Sequence, residues 1–173
     1  MTKNTESPKA SKIMMILAWA TLLILLMAFF TNWEKHSYNP NHNPDSQQTS
    51  TSNTVVLQRN KYHHYVTIGK INQQTVIFLL DTGATDVVIP EKTANQLGLK
   101  KGARQYANTA NGVIEVYRTK LEQLTIGNIT LHKVNASINP SMVKSDSILL
   151  GMSALKDIEF TQRGEQLILK QYR

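Results

Sequence analysis

The stretch that decides the fold is Val76-Ile77-Phe78-Leu79-Leu80-Asp81-Thr82-Gly83-Ala84-Thr85-Asp86-Val87-Val88-Ile89-Pro90. It places a short polar segment between two apolar runs of the length expected for buried strands. An unpaired, ionised carboxylate at Asp81 would be costly in such surroundings. Gly83 permits a tight turn and Thr82 offers a hydroxyl that can hold it, so one interpretation is a β-turn capped by Asp81. The apolar flanks on both sides favour a chemical site instead.

The strongest signal outside this stretch is an apolar run over residues 13–30, which contains no charged residue. This length is near the lower limit for a membrane-spanning helix. Three lysines and one glutamate precede the run, so the positive-inside tendency predicts a cytoplasmic N-terminus. A cleaved signal peptide is the alternative, but Ala18 and Ala20 lie inside the run rather than after it. Trp33 suits a membrane interface, and an uncleaved anchor is therefore expected.

Composition divides the rest of the chain into a linker and one folded domain. Residues 31–54 are rich in Asn, Ser, Thr, Gln, Pro and His, and cannot bury a core by themselves. The predicted organisation is a cytoplasmic tail (1–12), a transmembrane anchor (13–30), a flexible linker (31–58) and a folded domain (59–173). By the predicted topology, this domain lies on the non-cytoplasmic side of the membrane.

Charge, cysteine and histidine content exclude several classes of function. The formal net charge of +7 is spread thinly, and no basic run interleaves with aromatic residues, so nucleic acid is not an expected partner. Lys100, Lys101 and Arg104 form a small cluster that is interpreted as a solvated loop. The chain has no cysteine, which excludes disulfides and thiol chemistry. The five histidines show no ligand spacing, so neither a metal nor another cofactor is expected.

Strand signals dominate the folded domain, which is expected to be a small all-β barrel. Apolar alternation with turn residues between the runs predicts paired strands. The runs are residues 65–71, 75–80, 106–107, 113–121, 121–126, 129–138, 147–151, 158–160 and 166–170. Glu91 to Leu97 follows Pro90 and ends at Gly98, which predicts one short helix. Met152 to Lys156 could add one helical turn.

The number of Asp-Thr-Gly motifs in the chain bears on how many chains one active site would need. Two carboxylates held close together share a proton, so that one can act as a base on a water while the other donates to a carbonyl. The chain has only one Asp-Thr-Gly, at Asp81, and the folded part is too short for two such lobes. The second carboxylate must then be Asp81 of a second chain in a symmetric homodimer.

These residues resemble the retropepsin-like aspartic proteases, and in particular a membrane-anchored bacterial branch of that family. Asp81-Thr82-Gly83-Ala84 is similar to the family's catalytic tetrad. Leu149-Leu150-Gly151 matches the family's hydrophobic-hydrophobic-Gly element, which supports the catalytic loop, and Gly151 lies seventy residues after Asp81. The hairpin tip Thr109-Ala110-Asn111-Gly112 falls where such proteases carry the flap over the substrate. The resemblance covers roughly residues 60–170. It implies a closed retropepsin-type barrel and an aspartic endopeptidase acting on protein or peptide substrates.

The resemblance also implies roles for individual residues. Thr82 would hold the two loops in register across the dimer, and Gly83 would let the backbone approach the substrate. Asp86 would lie beside the substrate, together with the flap residues 109–112. Thr85 stands where many retroviral members have an Asp, which is a departure from the family's pattern at a position next to Asp86. The alternative function is a non-catalytic module of the same fold that dimerises or binds peptides.

Overall fold

The computed structural model describes residues 8–109, 112–143 and 145–173. The chain divides into two compact units, one that ends at Ser37 and one that begins at Tyr38. The first is a helix, α1, which runs Pro8–Tyr38. Within it, Ser11–Glu34 is apolar and carries no buried side chains. These 24 residues would extend over about 36 Å, enough to cross a hydrocarbon core of about 30 Å. A signal sequence would have a similar length and composition.

The structure differs from the flexible linker expected over residues 31–58. Helix α1 continues to Tyr38, and two antiparallel strands follow, β1 (Asp45–Gln48) and β2 (Ser52–Gln58). Val55 and Leu57 point into the core and are fully buried. The folded domain therefore includes a polar segment that composition alone assigned to the linker.

The side chain of Asn41 explains how this polar segment is held. Its amide donates hydrogen bonds to the carbonyl oxygens of Gln58 (2.9 Å) and Val66 (2.7 Å), and its own side-chain oxygen accepts from the Gln58 N–H (2.6 Å). Asn41 is almost fully buried, so each of these bonds satisfies a group that has lost water. Polar residues here complete backbone pairing rather than leaving it to solvent.

The rest of the domain is predominantly strand, which confirms the expected fold class. The elements in chain order are β3 (Val66–Ile71), β4 (Gln74–Leu80), β5 (Val87–Pro90), α2 (Glu91–Gln96), β6 (Arg104–Thr109), β7 (Gly112–Ile126), β8 (Ile129–Asn139), β9 (Ile148–Leu150), α3 (Met152–Leu155), β10 (Glu159–Arg163) and β11 (Gln166–Tyr172). The helix predicted over residues 91–97 is present as α2. The two strand runs predicted on either side of residue 121 form one long strand, β7.

The strands form two sheets. One has four strands in the order β1-β2-β11-β10. The other has seven strands in the order β3-β4-β9-β5-β8-β7-β6, and a further pairing of β3 with β7 joins them into a ring. Its interior is filled by fully buried aliphatic and aromatic side chains, among them Phe78, Ile89, Leu124, Ile138 and Leu150.

Strand β9 positions the segment between β4 and β5. It pairs in parallel with β4, where Leu79 faces Leu149, and antiparallel with β5, where Val88 faces the same Leu149. The polar segment 81–86 leaves one of these neighbours of β9 and enters the other. It is therefore fixed over the end of β9, where that strand passes into α3.

Candidate active site

The backbone of Asp81 is tied to the end of β9. Its N–H donates to the carbonyl oxygen of Leu150 at 3.2 Å, which extends the parallel pairing of β4 and β9 by one bond. The turn that follows is closed by Ala84, whose N–H donates to the Asp81 carbonyl at 3.2 Å. This hydrogen bond defines a β-turn with Thr82 and Gly83 at its centre. The turn predicted from the sequence is present.

The carboxylate of Asp81 takes part in this turn and remains partly open to solvent. Its Oδ1 accepts a hydrogen bond from the Gly83 N–H at 2.9 Å, while the side chain is only half-buried. Within the part of the chain that the structure describes, Oδ2 accepts no hydrogen bond. The capped β-turn interpretation is therefore confirmed, and the other carboxylate oxygen is open to water. The interpretation of Asp81 as a chemical site stays a prediction.

Helix α3 holds the second half of the loop. The N–H of Met152 donates to the carbonyl oxygen of Ala84 at 2.9 Å, and that of Ser153 donates to the carbonyl oxygen of Thr85 at 2.8 Å. The first N–H groups of a helix have no partner within the helix, so the loop carbonyls satisfy donors that would otherwise be unpaired. The approach is close because Gly151 has no side chain; a Cβ there would lie 2.6 Å from the Ala84 carbonyl oxygen.

Ser153 is a structural part of the site that sequence reasoning missed. Its hydroxyl accepts a hydrogen bond from the Val87 N–H at 2.9 Å and donates one to the carbonyl oxygen of Asn135 at 2.7 Å. It therefore joins the end of the loop formed by residues 81–86 to β8. A serine in the first turn of a helix is typical of local hydrogen bonding to backbone groups. That signal was present in the sequence, but the two partners are distant along the chain.

Thr82 and Gly83 project from the domain at the tip of the loop, and both are exposed. Thr82 borders an apolar hollow of about 320 Å³. The other residues around it are Tyr65, Leu80, Leu155, Phe160, Gln162 and Leu167. The buried hydroxyl of Tyr65 has no hydrogen-bond partner within the described residues.

The hairpin predicted to act as a flap is formed by β6 and β7. Thr109 faces Gly112 at its end, and the Thr109 hydroxyl donates to the Gly112 carbonyl oxygen at 2.8 Å. Gly112 has a φ of 104°, a conformation that favours glycine. Ala110 and Asn111 lie outside the described residues. The structure thus brings residues 81–86 together with 149–153 and places Thr109 and Gly112 on a separate hairpin.

A charged network braces the base of this hairpin. Glu115 accepts hydrogen bonds from the Tyr117 hydroxyl at 2.6 Å and from Arg104 at 3.2 Å. The hydrogen bond to Glu115 raises the pKa of Tyr117 above its ordinary value, and the negative charge of Glu115 adds to the shift. Lys101 lies 4.5 Å from the centre of the Tyr117 ring and pairs with Glu91, whose hydrogen bond raises the pKa of Lys101.

The described residues contain no group of three histidines or carboxylates arranged to hold a metal ion. At the turn of the loop, the carboxylate of Asp81 is the group that can accept or donate a proton. Asp81 presents one carboxylate oxygen, on a turn fixed by hydrogen bonds at both ends, beside exposed Thr82 and Gly83. A polar group bound at this oxygen would meet a rigid acceptor.

Two uncharacterized bacterial proteins are similar in sequence to this chain. An uncharacterized protein in the cobV 5′ region of Sinorhizobium sp. is 31% identical over 120 residues, which cover 67% of this chain and 51% of that protein. The chain thus spans about half the length of this relative. An uncharacterized protein of Rickettsia prowazekii (strain Madrid E) is 23% identical over 162 residues, or 89% of this chain and 69% of that protein.

The fold also matches a solved structure. The crystal structure of a retropepsin-like aspartic protease from Rickettsia conorii aligns with a TM-score of 0.58 and 23% identity, over 73% of this chain and 98% of that chain. The sequence model of the family described as "gag-polyprotein putative aspartyl protease" matches residues 67–157, just over half of the chain, from the second residue of β3 to beyond the end of α3. The chain therefore belongs to this aspartyl protease family and has the retropepsin-like fold.

Proposed function

We propose that this protein is an aspartic endopeptidase whose active site forms across a homodimer, from Asp81 of each copy. The observation that carries the proposal is the half-site itself. Asp81 lies on a turn held by β9 and α3, its Oδ2 is free of protein hydrogen bonds within the described residues, and the sequence contains no second Asp-Thr-Gly. Such a loop has the rigidity that catalysis needs and only half of the required carboxylates.

The surface around Thr82 supports the pairing of two copies. Thr82 is exposed at the edge of the apolar hollow, and Phe160 on the hollow's rim is 40% exposed. Strand β10, which carries Phe160, is the last strand of its sheet and has one unpaired edge. Exposed sheet edges are surfaces on which another chain can pair. A second copy that covered this region would bury the hollow and bring the two Asp81 loops together.

In such a dimer, the two carboxylates would share one proton because two adjacent negative charges are unfavourable. The ionised carboxylate would take a proton from a water as it attacks the peptide carbonyl. The protonated one would donate a hydrogen bond to the carbonyl oxygen. An extended peptide would lie between the loops and the β6–β7 hairpin with strand-like hydrogen bonds, against Asp86 and residues 109–112. No metal or other cofactor is required.

The proposal extends to the location of the protein. Helix α1 would be a single membrane anchor with a cytoplasmic N-terminus, and the catalytic domain would face the periplasm from the inner membrane. Its support is the length and apolar character of Ser11–Glu34. Anchoring two copies in one membrane would raise their effective concentration for pairing.

Substitution of Asp81 by Asn tests the chemistry. The full chain in a non-ionic detergent would be incubated with a peptide library at acidic and neutral pH, and products identified by mass spectrometry. We expect cleavage by the parent protein, none by Asp81→Asn, and undiminished cleavage by Asp157→Asn, a matched change at an exposed carboxylate outside the loop. Equal cleavage by Asp81→Asn would overturn the assignment. If sedimentation verifies a dimer that never cleaves, the protein is instead a non-catalytic peptide-binding module.

A further inference from the structure

A cleft of about 800 Å³ opens beside the catalytic loop. Its floor is the paired part of β7 and β8, where Lys120 faces Asn135, and one wall is the loop after α2 that contains Lys100 and Lys101. Asp86, the last residue of the polar segment that begins at Asp81, lies at its border. The cleft is therefore continuous with the loop on which the proposed chemistry takes place.

Hydrogen bonds fix the walls of the cleft relative to the loop. The N–H of Gly102 donates to the Arg118 carbonyl oxygen at 2.7 Å, which ties the lysine-bearing loop to β7. Asn135 on the floor accepts the hydrogen bond of Ser153, which also holds Val87 next to Asp86. A group bound in this cleft would thus have a defined position relative to Asp81.

The cleft is strongly cationic. Lys100, Lys101, Arg118 and Lys120 line it against the single carboxylate of Asp86. Lys101 is paired with Glu91, which lies outside the lining, and Arg118 uses its Nε–H on the side chain of Gln105 at 2.6 Å. Among the described residues, neither Lys100 nor Lys120 forms an ion pair. Two ammonium groups and the terminal nitrogens of Arg118 are available to an anion.

We propose that this cleft binds an acidic side chain, Asp or Glu, of the peptide substrate at a position a few residues from the bond to be cleaved. This inference rests on the proposed function, because the side chain in the cleft would belong to the peptide substrate. A peptide extended along the loop advances about 3.3 Å per residue, so a residue near the scissile bond can reach a cleft bordered by Asp86. The concave shape favours a side chain over a flat membrane surface. The protein would then prefer acidic segments of its substrates.

Binding to the uncleaving variant tests the inference separately from the proposed chemistry. Full-length Asp81→Asn in non-ionic detergent would be titrated against fluorescent peptides in which one Glu is scanned through each position, each with a Gln twin. We expect one or two neighbouring positions at which the Glu peptide binds about two- to fivefold more tightly than its twin. The preference should diminish at high salt, because these groups are exposed and salt screens them.

Variants then assign the preference to the cleft. Adding Lys100→Gln and Lys120→Gln should remove the difference between the twins, whereas Lys61→Gln with Lys70→Gln, an equal loss of charge at exposed sites outside the cleft, should retain it. Lys120→Glu should shift the preference toward a Lys at the same position.

Three results would overturn the inference: equal binding of every pair of twins, no measurable binding of any peptide, or an effect of the lysine variants only on vesicles containing phosphatidylglycerol. Cleavage by the parent protein is a separate measurement. If the preference for Glu is found but the parent protein never cleaves, the proposed function is wrong, and the inference that the cleft binds an acidic side chain remains supported.

Discussion

The α-carbon of Gly151 lies so close to the loop of residues 81–86 that a side-chain Cβ there would stand 2.1 Å from the carbonyl oxygen of Asp86. Gly151 has a φ of −92°, which any residue can adopt, so the requirement for glycine is one of space. The atoms in the way belong to the backbone and cannot rotate aside. Any side chain at this position must displace the loop that carries Asp81 or the start of α3.

Gly151→Ala is therefore expected to cost about 1–3 kcal/mol of stability and to abolish cleavage. Thermal unfolding and the peptide cleavage assay would measure the two effects. Gly164→Ala is the control, because its φ of 57° strains an alanine while no atom lies within reach of the new Cβ. It should lose stability without losing activity. Normal cleavage by a folded Gly151→Ala protein would contradict the assignment of residues 149–151 as support for the loop.

Removal of the Ser153 hydroxyl should weaken the attachment of the same loop at its other end, next to Val87. Val87 is fully buried, and in Ser153→Ala its N–H loses the acceptor that lies 2.9 Å away. A buried donor without a partner costs about 1–3 kcal/mol, which denaturant unfolding would detect. Ser153→Thr keeps the hydroxyl and should retain most of the stability. If the alanine and threonine variants unfold at the same denaturant concentration, the hydroxyl does not hold the loop.

The loop illustrates what the sequence could predict. Asp81, Thr82 and Gly83 form a turn through bonds between near neighbours, and turn chemistry of this kind is encoded locally. The same holds for α2, with its start after Pro90 and its stop at Gly98. By contrast, the Ser153 hydroxyl joins β8 to the loop, and its partners are 18 and 66 residues away. No local pattern specifies such a contact.

The folded segment around β2 was missed for a related reason. Residues 45–58 are polar enough to resemble a linker, yet Val55 and Leu57 are buried because β11 pairs with them from the far end of the chain. Similarly, Lys100 was interpreted as part of a solvated loop, and Lys120 received no interpretation beyond its place in the predicted strand run 113–121. Only the pairing of β7 with β8 and the bond from Gly102 to Arg118 create the cleft that they share.

The hydrogen bond between Tyr117 and Glu115 predicts a late-titrating tyrosine. Because this bond raises the pKa of Tyr117, its contribution to stability is fully present below the pKa of a free tyrosine, about 10. That contribution is lost only as the pH rises through the higher pKa of the folded protein. Ultraviolet titration of tyrosinate should therefore show an ionisation step above the ordinary tyrosine range.

Two variants check the assignment of this titration. Tyr117→Phe should remove the late-ionising group, and Glu115→Gln should move it toward the ordinary range, since the carboxylate that favours the neutral phenol is gone. Tyr62→Phe, at a ring more than half exposed, should leave the late step in place. A late step that survives Tyr117→Phe would assign it to another tyrosine.

If two copies share one active site, an inactive copy should inhibit cleavage by the parent protein. If each dimer needs two Asp81 carboxylates, adding Asp81→Asn protein to a fixed amount of parent protein should lower cleavage in proportion to the parent's share of the mixture. The mixed dimers would contain one functional carboxylate and no activity. Independent active sites would give constant cleavage, whatever the excess of the variant.

Phe160 supplies the control for this experiment. A charge at this partly exposed ring, on the open edge of β10 and the rim of the hollow, should prevent association because burying an unpaired carboxylate is costly. The double variant Asp81→Asn with Phe160→Glu should therefore remain monomeric on sedimentation and should not inhibit cleavage by the parent protein. If the double variant inhibits the parent protein as strongly as Asp81→Asn alone does, the two copies associate through a surface other than the one bordered by Thr82.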